Sequence, residues 1–252
     1  MLRFYDSEAS FGRRSVILPG SFWKKEELLL QMEHCGIERA LVRHAVAAEL
    51  DPMVGNQMLM EEIADTPSLT PLWTVQPHHT GEFWEPKELL VKMKANDVRA
   101  VTMFGYAGDQ NFITSEWNCG ALYDALEDAR IPLFIGLVQI TGGYEGLQKI
   151  LKVHPKLPIV LSGVTYRDAR NLYALLDQYA NLHITSAGWK AMDGIEDVCA
   201  KFGADRILFG SSLPYGAGGA AIATITYANI SDEEKQLIAS ENLERLLGGV
   251  KL

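Results

Sequence analysis

The sequence predicts an α/β protein built as a single (β/α)8 TIM barrel, and three observations carry that prediction. Eight short runs rich in β-branched and aromatic residues alternate with longer amphipathic stretches, the pattern of repeated βα units around a parallel sheet. The 252 residues, 48% hydrophobic and 22% charged, suit one well-cored domain spanning 1–252, a size at which barrels commonly occur. After the first run the chain reads Asp6-Ser7-Glu8-Ala9-Ser10-Phe11-Gly12, without the glycine-rich phosphate fingerprint that opens a dinucleotide-binding sheet.

Taken in order, the strand candidates are Leu2 to Asp6, Arg39 to His44, Pro71 to Gln76 and Val98 to Phe104. Pro132 to Val138, Pro158 to Ser162, Leu182 to Ser186 and Arg206 to Gly210 complete the eight. A helical candidate follows each. The first, Lys24 to Cys35, stops at Gly36, which takes a left-handed C-terminal position without a Cβ penalty. The last opens at Ser231 with Glu234 three residues on, a capping box that satisfies two orphan amides. In a barrel the functional groups sit on the loops after the strands, so the strand ends are where chemistry is sought.

A net charge of −9 leaves no general basic field and disfavours a nucleic-acid partner. Cys35, Cys119 and Cys199 are odd in number and widely spaced, which suits reduced thiols rather than a disulfide framework or a cysteine-based zinc knuckle. Met1 to Asp6 runs directly into a strand with no leader-like pattern, and the longest apolar run, Ile131 to Ile140, is too short to span a bilayer. These features predict a cytoplasmic protein with a small-molecule ligand, no membrane partner and a plausible homodimer through its exposed helices.

Several strand ends resemble the amidohydrolase-related family of TIM-barrel hydrolases and decarboxylases. Arg206-Ile207-Leu208-Phe209-Gly210-Ser211-Ser212-Leu213-Pro214 is similar to the family's eighth strand, R-I-L-F-G-S-D-x-P. Ile238 to Leu247 resembles its closing helix, with Asn242 and Arg245 in place. Tyr179 to Ser186 is similar to its penultimate strand, and Ile131 to Ile135 to its fifth. The resemblance implies a hydrolase or decarboxylase with a divalent metal held by a His-x-His pair after strand one, a histidine after each of strands five and six, and an aspartate after strand eight. Here those positions read Glu8 and Ser10, then Gly136, then a residue within Leu161 to Gly163, then Ser212. A catalytic zinc needs about three nitrogen, sulfur or carboxylate ligands, so the family's metal ligands are lost and no cofactor is expected. A relocated divalent metal such as zinc, held by His44, His78 or His79 and Glu8, stays open. His34, His154 and His183, on a helix, before a proline and within a strand, read as structural.

Two readings follow from the rim. In the first, the protein is a metal-independent enzyme acting on a small polar or carboxylated compound. Glu8 is its general base or nucleophile and His44 its proton partner. Arg43 or Arg167 then holds a substrate carboxylate by bidentate bonds. His78, Ser212 and Tyr215 contact the substrate, with Tyr166 and Trp189 as pocket walls. Strand alternation sets one condition: Arg43 and His44 do not both face inward along a regular strand. In the second reading, the barrel is catalytically inactive and serves as a small-molecule-binding or interaction protein, its mouth filled by aromatic side chains or a loop. The glycine-rich Tyr215 to Ala221 segment reads as a tight turn before a helix, or as a phosphate-binding turn.

Overall fold

The computed structural model describes residues 2–252. Its strands are β1 (Phe4–Phe11), β2 (Ile37–His44), β3 (Leu69–Pro71), β4 (Trp73–Thr74), β5 (Val101–Thr102), β6 (Leu133–Gly136), β7 (Ile159–Ser162), β8 (Leu182–Thr185) and β9 (Ile207–Leu208). Every ladder is parallel, in the order β1-β2-β3 and β4 through β9. β3 and β4 are consecutive pieces of one barrel strand, broken only at Leu72, whose N–H donates to Val42 O at 2.8 Å. Eight staves result. The barrel closes where Ser7 N donates to Phe209 O and Ser10 N to Leu213 O, both at 2.9 Å.

Helices α1 (Lys25–Cys35), α2 (Ala45–Glu49), α3 (Pro52–Ile63), α4 (Pro86–Ala95), α5 (Glu116–Asp128) and α6 (Tyr144–Val153) cover the first part of the wall. α7 (Ala169–Gln178), α8 (Gly194–Phe202), α9 (Gly218–Thr226), α10 (Asp232–Gln236) and α11 (Asn242–Gly248) complete it. Gly36 ends α1 at φ 74°, and the Ser231–Glu234 capping box opens α10, both as the sequence predicts. The first strand outruns its predicted end at Asp6. It bulges between Asp6 and Ala9 and then resumes pairing, Ser10 with Arg43 and Phe11 with His44. No helix among the described residues is long and apolar enough to cross a membrane.

The period of two along each strand divides the interior into two cores. Val42, Trp73, Val101, Ile135, Leu161 and Phe209 face outward and pack beneath the helices. Tyr5, Leu41, Leu72, Ala100, Phe134, Val160 and Leu208 face inward, joined by Leu243 and Leu247 of α11 at one end of the barrel. One inward step further along the strands, the side chains turn small and polar: Thr74, Thr102, Gly136, Ser162, Thr185 and Gly210. That layer forms the floor of the mouth.

Side-chain amides tie the wall to the staves. Asn56 of α3 donates to Thr74 O at 2.8 Å and accepts from Thr74 N at 2.9 Å, while Asn242 donates to the carbonyls of Ala204 and Ile207. Replacing Asn56 with alanine strands two buried backbone groups, each costing about 1–3 kcal/mol. Asn56→Ala is therefore expected to lower the unfolding free energy by about 2–4 kcal/mol in denaturant titrations, with an unchanged m-value.

Candidate functional site

The bulge in β1 gives two neighbouring carboxylates opposite fates. Glu8 turns into the mouth, where Thr185 Oγ1 donates to its Oε2 at 2.6 Å and Ser212 Oγ to its Oε1 at 2.9 Å. Ser212 holds φ 55°, an uncommon left-handed conformation for serine, and its carbonyl accepts from Tyr215 N and Gly216 N. Asp6 turns away from the mouth and is fully buried. Its Oδ1 accepts from Ser211 N at 2.9 Å and Glu8 N at 3.0 Å, and its Oδ2 accepts from Ser211 Oγ.

Arg43 enters the mouth from β2. Burial lowers its pKa from the usual 12.5, against the opposing pull of the Glu8 carboxylate nearby. Its guanidinium lies 5.6 Å from the Phe104 ring centroid, and among the described residues no carboxylate comes within 4.0 Å to form an ion pair. Tyr215 completes this side, half-exposed, with the Arg14 guanidinium 5.3 Å from its ring centroid and Arg14 itself paired to Glu49.

His44 does not join Glu8. As the residue after inward-facing Arg43, it projects to the outer face, where its ring meets Phe11 edge-on at 5.4 Å. Nδ1 accepts from Val46 N at 3.2 Å to cap α2, and Nε2 lies 3.5 Å from Glu62 on α3. A Cβ at Gly12 would stand 2.6 Å from that ring, so the close approach requires glycine. Burial lowers the His44 pKa. The predicted Glu8–His44 proton pair is thus corrected by strand alternation: the arginine has the mouth and the histidine has the wall.

The other rim candidates divide. Trp189, expected as a pocket wall, is buried against Tyr173, with centroids 6.2 Å apart, and donates to Gly194 O at 3.0 Å; with Tyr166 it lines a cavity of about 310 Å³ whose lining includes neither Glu8 nor Arg43. Tyr166 and Arg167 are exposed and engage mainly each other, Arg167 Nε donating to Tyr166 Oη at 3.3 Å. His78 is half-buried with its ring 4.4 Å from that of His79, whose Nε2 meets Asn118 O at 3.1 Å. Sequence reading missed Asp6 and Thr185. Asp6 carried a legible signal, a carboxylate inside an otherwise buried strand; Thr185 became visible only once β8 was set beside β1.

Cavities of about 280 to 750 Å³ open on the molecule. The 750 Å³ cavity lies where Arg39, Asn96 and Glu244 surround Tyr5, at the opposite end of the barrel.

No family model matches the sequence, and no curated protein sequence matches it. Solved structures match over nearly the whole chain. The 2,6-dihydroxybenzoate decarboxylase from Rhizobium aligns at 18% identity and a TM-score of 0.78, covering 98% of this chain and 99% of its own. The 5-carboxyvanillate decarboxylase from Sphingomonas paucimobilis aligns at 13% identity and a TM-score of 0.75, covering 98% and 99%. A dihydroxybenzoic acid decarboxylase from Polaromonas, with bound manganese and the inhibitor 2-nitroresorcinol, aligns at 15% identity and a TM-score of 0.77, covering 98% and 97%. The TIM-barrel fold implied by the resemblance is the fold found. The expectation that no cofactor is needed draws no support from these structures, one of which holds manganese.

Burial pushes the Asp6 carboxyl up from 3.8 to about 6 despite the two amides and the hydroxyl that favour its charge. The folded state therefore holds this proton more tightly than the unfolded chain. Stability from the group is full below pH 3.8 and is lost as pH rises to about 6, on the order of 3 kcal/mol. The parent is expected to lose that amount relative to Asp6→Asn between pH 4 and pH 6.5 in paired denaturant titrations. A pH-independent difference between the two would show that Asp6 does not titrate this way.

Proposed function

We propose that the barrel mouth binds a small carboxylated compound, with its carboxylate on Arg43 and its reacting end against Glu8. On this reading the protein is a hydrolase- or decarboxylase-type enzyme whose chemistry uses no metal in the mouth. The observation that carries it is the guanidinium of Arg43, without an ion-pair partner within 4.0 Å, in a polar chamber with Glu8, where Arg14 over the Tyr215 ring adds a second positive charge. A desolvated arginine without a partner has strong demand for an anion, and its planar fork matches a carboxylate. Glu8 and the Tyr215 phenol are side chains there able to carry a proton to or from a bound ligand, and Glu8 is the carboxylate of the pair. The solved decarboxylases act on carboxylated aromatics, which supports the same ligand chemistry here.

The mouth offers a poor seat for a divalent ion. Glu8 is the sole carboxylate, both its oxygens accept hydroxyl protons, and Ser10 Oγ turns to Leu213 O at 3.5 Å. Gly136 brings no donor, and no imidazole reaches Glu8. Hydroxyls and one occupied carboxylate do not fit a zinc- or manganese-class site, so no step is routed through a metal.

Thr185 and Ser212 hold Glu8 in one orientation; a ligand that displaces either hydroxyl frees an oxygen for proton transfer. The same two bonds favour the second reading, a barrel that binds its ligand without turning it over. Calorimetry and product analysis with a panel of small aliphatic and aromatic carboxylates, lactones and amides separate the two. Arg43→Gln is expected to weaken carboxylate binding about 10- to 100-fold. Glu8→Gln is expected to retain binding within a few-fold while lowering turnover about 10²- to 10⁴-fold. Binding that depends on Arg43, with no product from the parent, selects the binding protein; carboxylate affinity indifferent to Arg43 removes the proposal.

A further inference from the structure

On the outer wall, three carboxylates converge on one histidine. His154 caps the end of α6 and is almost wholly buried, its ring held edge-on by Tyr123 at 5.5 Å. Asn181 pins the backbone around it, donating to His154 O at 3.0 Å and Leu157 O at 2.8 Å. Glu116 Oε2 lies 2.9 Å from Nε2. Glu127 Oε2 and Asp124 Oδ1 both face Nδ1, at 3.3 Å and 3.7 Å. Asp124 and Glu127 stand three residues apart on α5 and so share one face of that helix.

Protons alone leave this arrangement unbalanced. A single N–H at Nδ1 serves one acceptor, yet two carboxylates address that nitrogen. Even a fully protonated ring carries one positive charge against the three carboxylates around it. Among the described residues no lysine or arginine side chain comes within 4.0 Å of Glu116, Asp124 or Glu127 to supply the difference.

We propose that Nδ1 of His154 with the carboxylates of Asp124 and Glu127 forms a binding site for a zinc-class divalent ion, set on the barrel wall and separate from the mouth. The donor atoms all lie within 4.8 Å of one another, and the two Nδ1–carboxylate separations bracket the roughly 3.3–3.5 Å edge of a tetrahedron with metal–ligand bonds of about 2.0–2.1 Å. Glu116 is the outer partner. By accepting the Nε2 proton it fixes the tautomer that leaves a lone pair on Nδ1 for the metal, the carboxylate–histidine–metal relation common at zinc sites. Glycine at residue 120 leaves room for the Glu116 carboxylate: a Cβ there would stand 2.4 Å from Glu116 Oε1 and would push that carboxylate aside. Lys156 N donates to Glu127 Oε1 at 2.7 Å, leaving Oε2 toward the ring. Exposed Asp124 gives the ion its path in and leaves the fourth position to water. One imidazole nitrogen with carboxylates suits zinc better than magnesium, which prefers an all-oxygen octahedron.

The test uses the full chain stripped of metal with a chelator and then dialysed, with zinc alone as the probe. Elemental analysis is expected to return close to one tightly held equivalent. A hundredfold excess of zinc over its dissociation constant is expected to raise Tm by about 5 °C or more, with no such rise from magnesium. Asp124→Asn, an exposed change that should leave folding intact, is expected to weaken zinc at least tenfold and to cut the Tm rise at the same zinc concentration to about half or less. Glu116→Gln is expected to weaken it about 10- to 100-fold by loosening the ring. Glu8→Gln in the mouth and His78→Ala in the segment after β4, both outside this cluster, are expected to bind zinc as the parent does. Binding of far less than one equivalent, zinc affinity unchanged in Asp124→Asn, or affinity lost in His78→Ala but kept in Asp124→Asn would each overturn the proposal. None of these readings depends on whether the mouth turns over a substrate.

Discussion

The seam between the first and last staves governs the mouth. There β1 meets the chain beyond β9 through two backbone bonds, and the bulge between Asp6 and Ala9 delivers the side chains that lock it. Asp6 grips the backbone and hydroxyl of Ser211 from the outer side, while Glu8, two residues on, takes the hydroxyls of Thr185 and Ser212 from inside. Two carboxylates thus hold the two faces of one closure. A barrel without that bulge would keep its apolar core but would not present Glu8 to the chamber. The cost is a buried acid in the wall, which trades stability near neutral pH for the geometry of the mouth.

Polarity inside the barrel is layered by strand period. Residues such as Leu41, Phe134 and Leu208 fill one level, and the next inward step brings threonine, serine and glycine. Small polar side chains line the chamber at that level, into which Arg43 and Glu8 bring opposite charges. The parity of β2 decides which of two adjacent reactive residues serves there. Arg43 has the parity of Leu41 and enters the mouth; His44 has the parity of Val42 and becomes part of the wall, its ring fitted against Gly12 and Phe11.

The structural relatives share this barrel at identities of 13 to 18%, a range in which shape persists while the groups at the strand ends vary. One of these structures holds manganese, whereas the mouth of this chain offers a guanidinium, a carboxylate and hydroxyls. Its histidine with the densest carboxylate surroundings lies instead on the outer wall, between α5 and the end of α6. A cation there would brace two helices of the wall rather than polarise a substrate.

Local chemistry determined much of this protein. Period-two hydrophobic runs, the glycine that stops α1 and the capping box that opens α10 are interactions within a few residues, so the sequence displays them directly; the same locality made Glu8 and Arg43 legible as strand-end groups. Other features depend on partners far along the chain. The bulge that extends β1 past Asp6 answers to β2 and to the segment after β9, about two hundred residues away. Trp189 was legible as a large aromatic near a strand end, but its burial was set by Tyr173 and Gly194. His154 read as a histidine before a proline because its carboxylates come from another helix. Sequence determined which residues alternate and where helices stop, through backbone geometry and capping. Tertiary structure alone decided which face of each strand became the inside and which charges met, because closing the barrel fixes both at once.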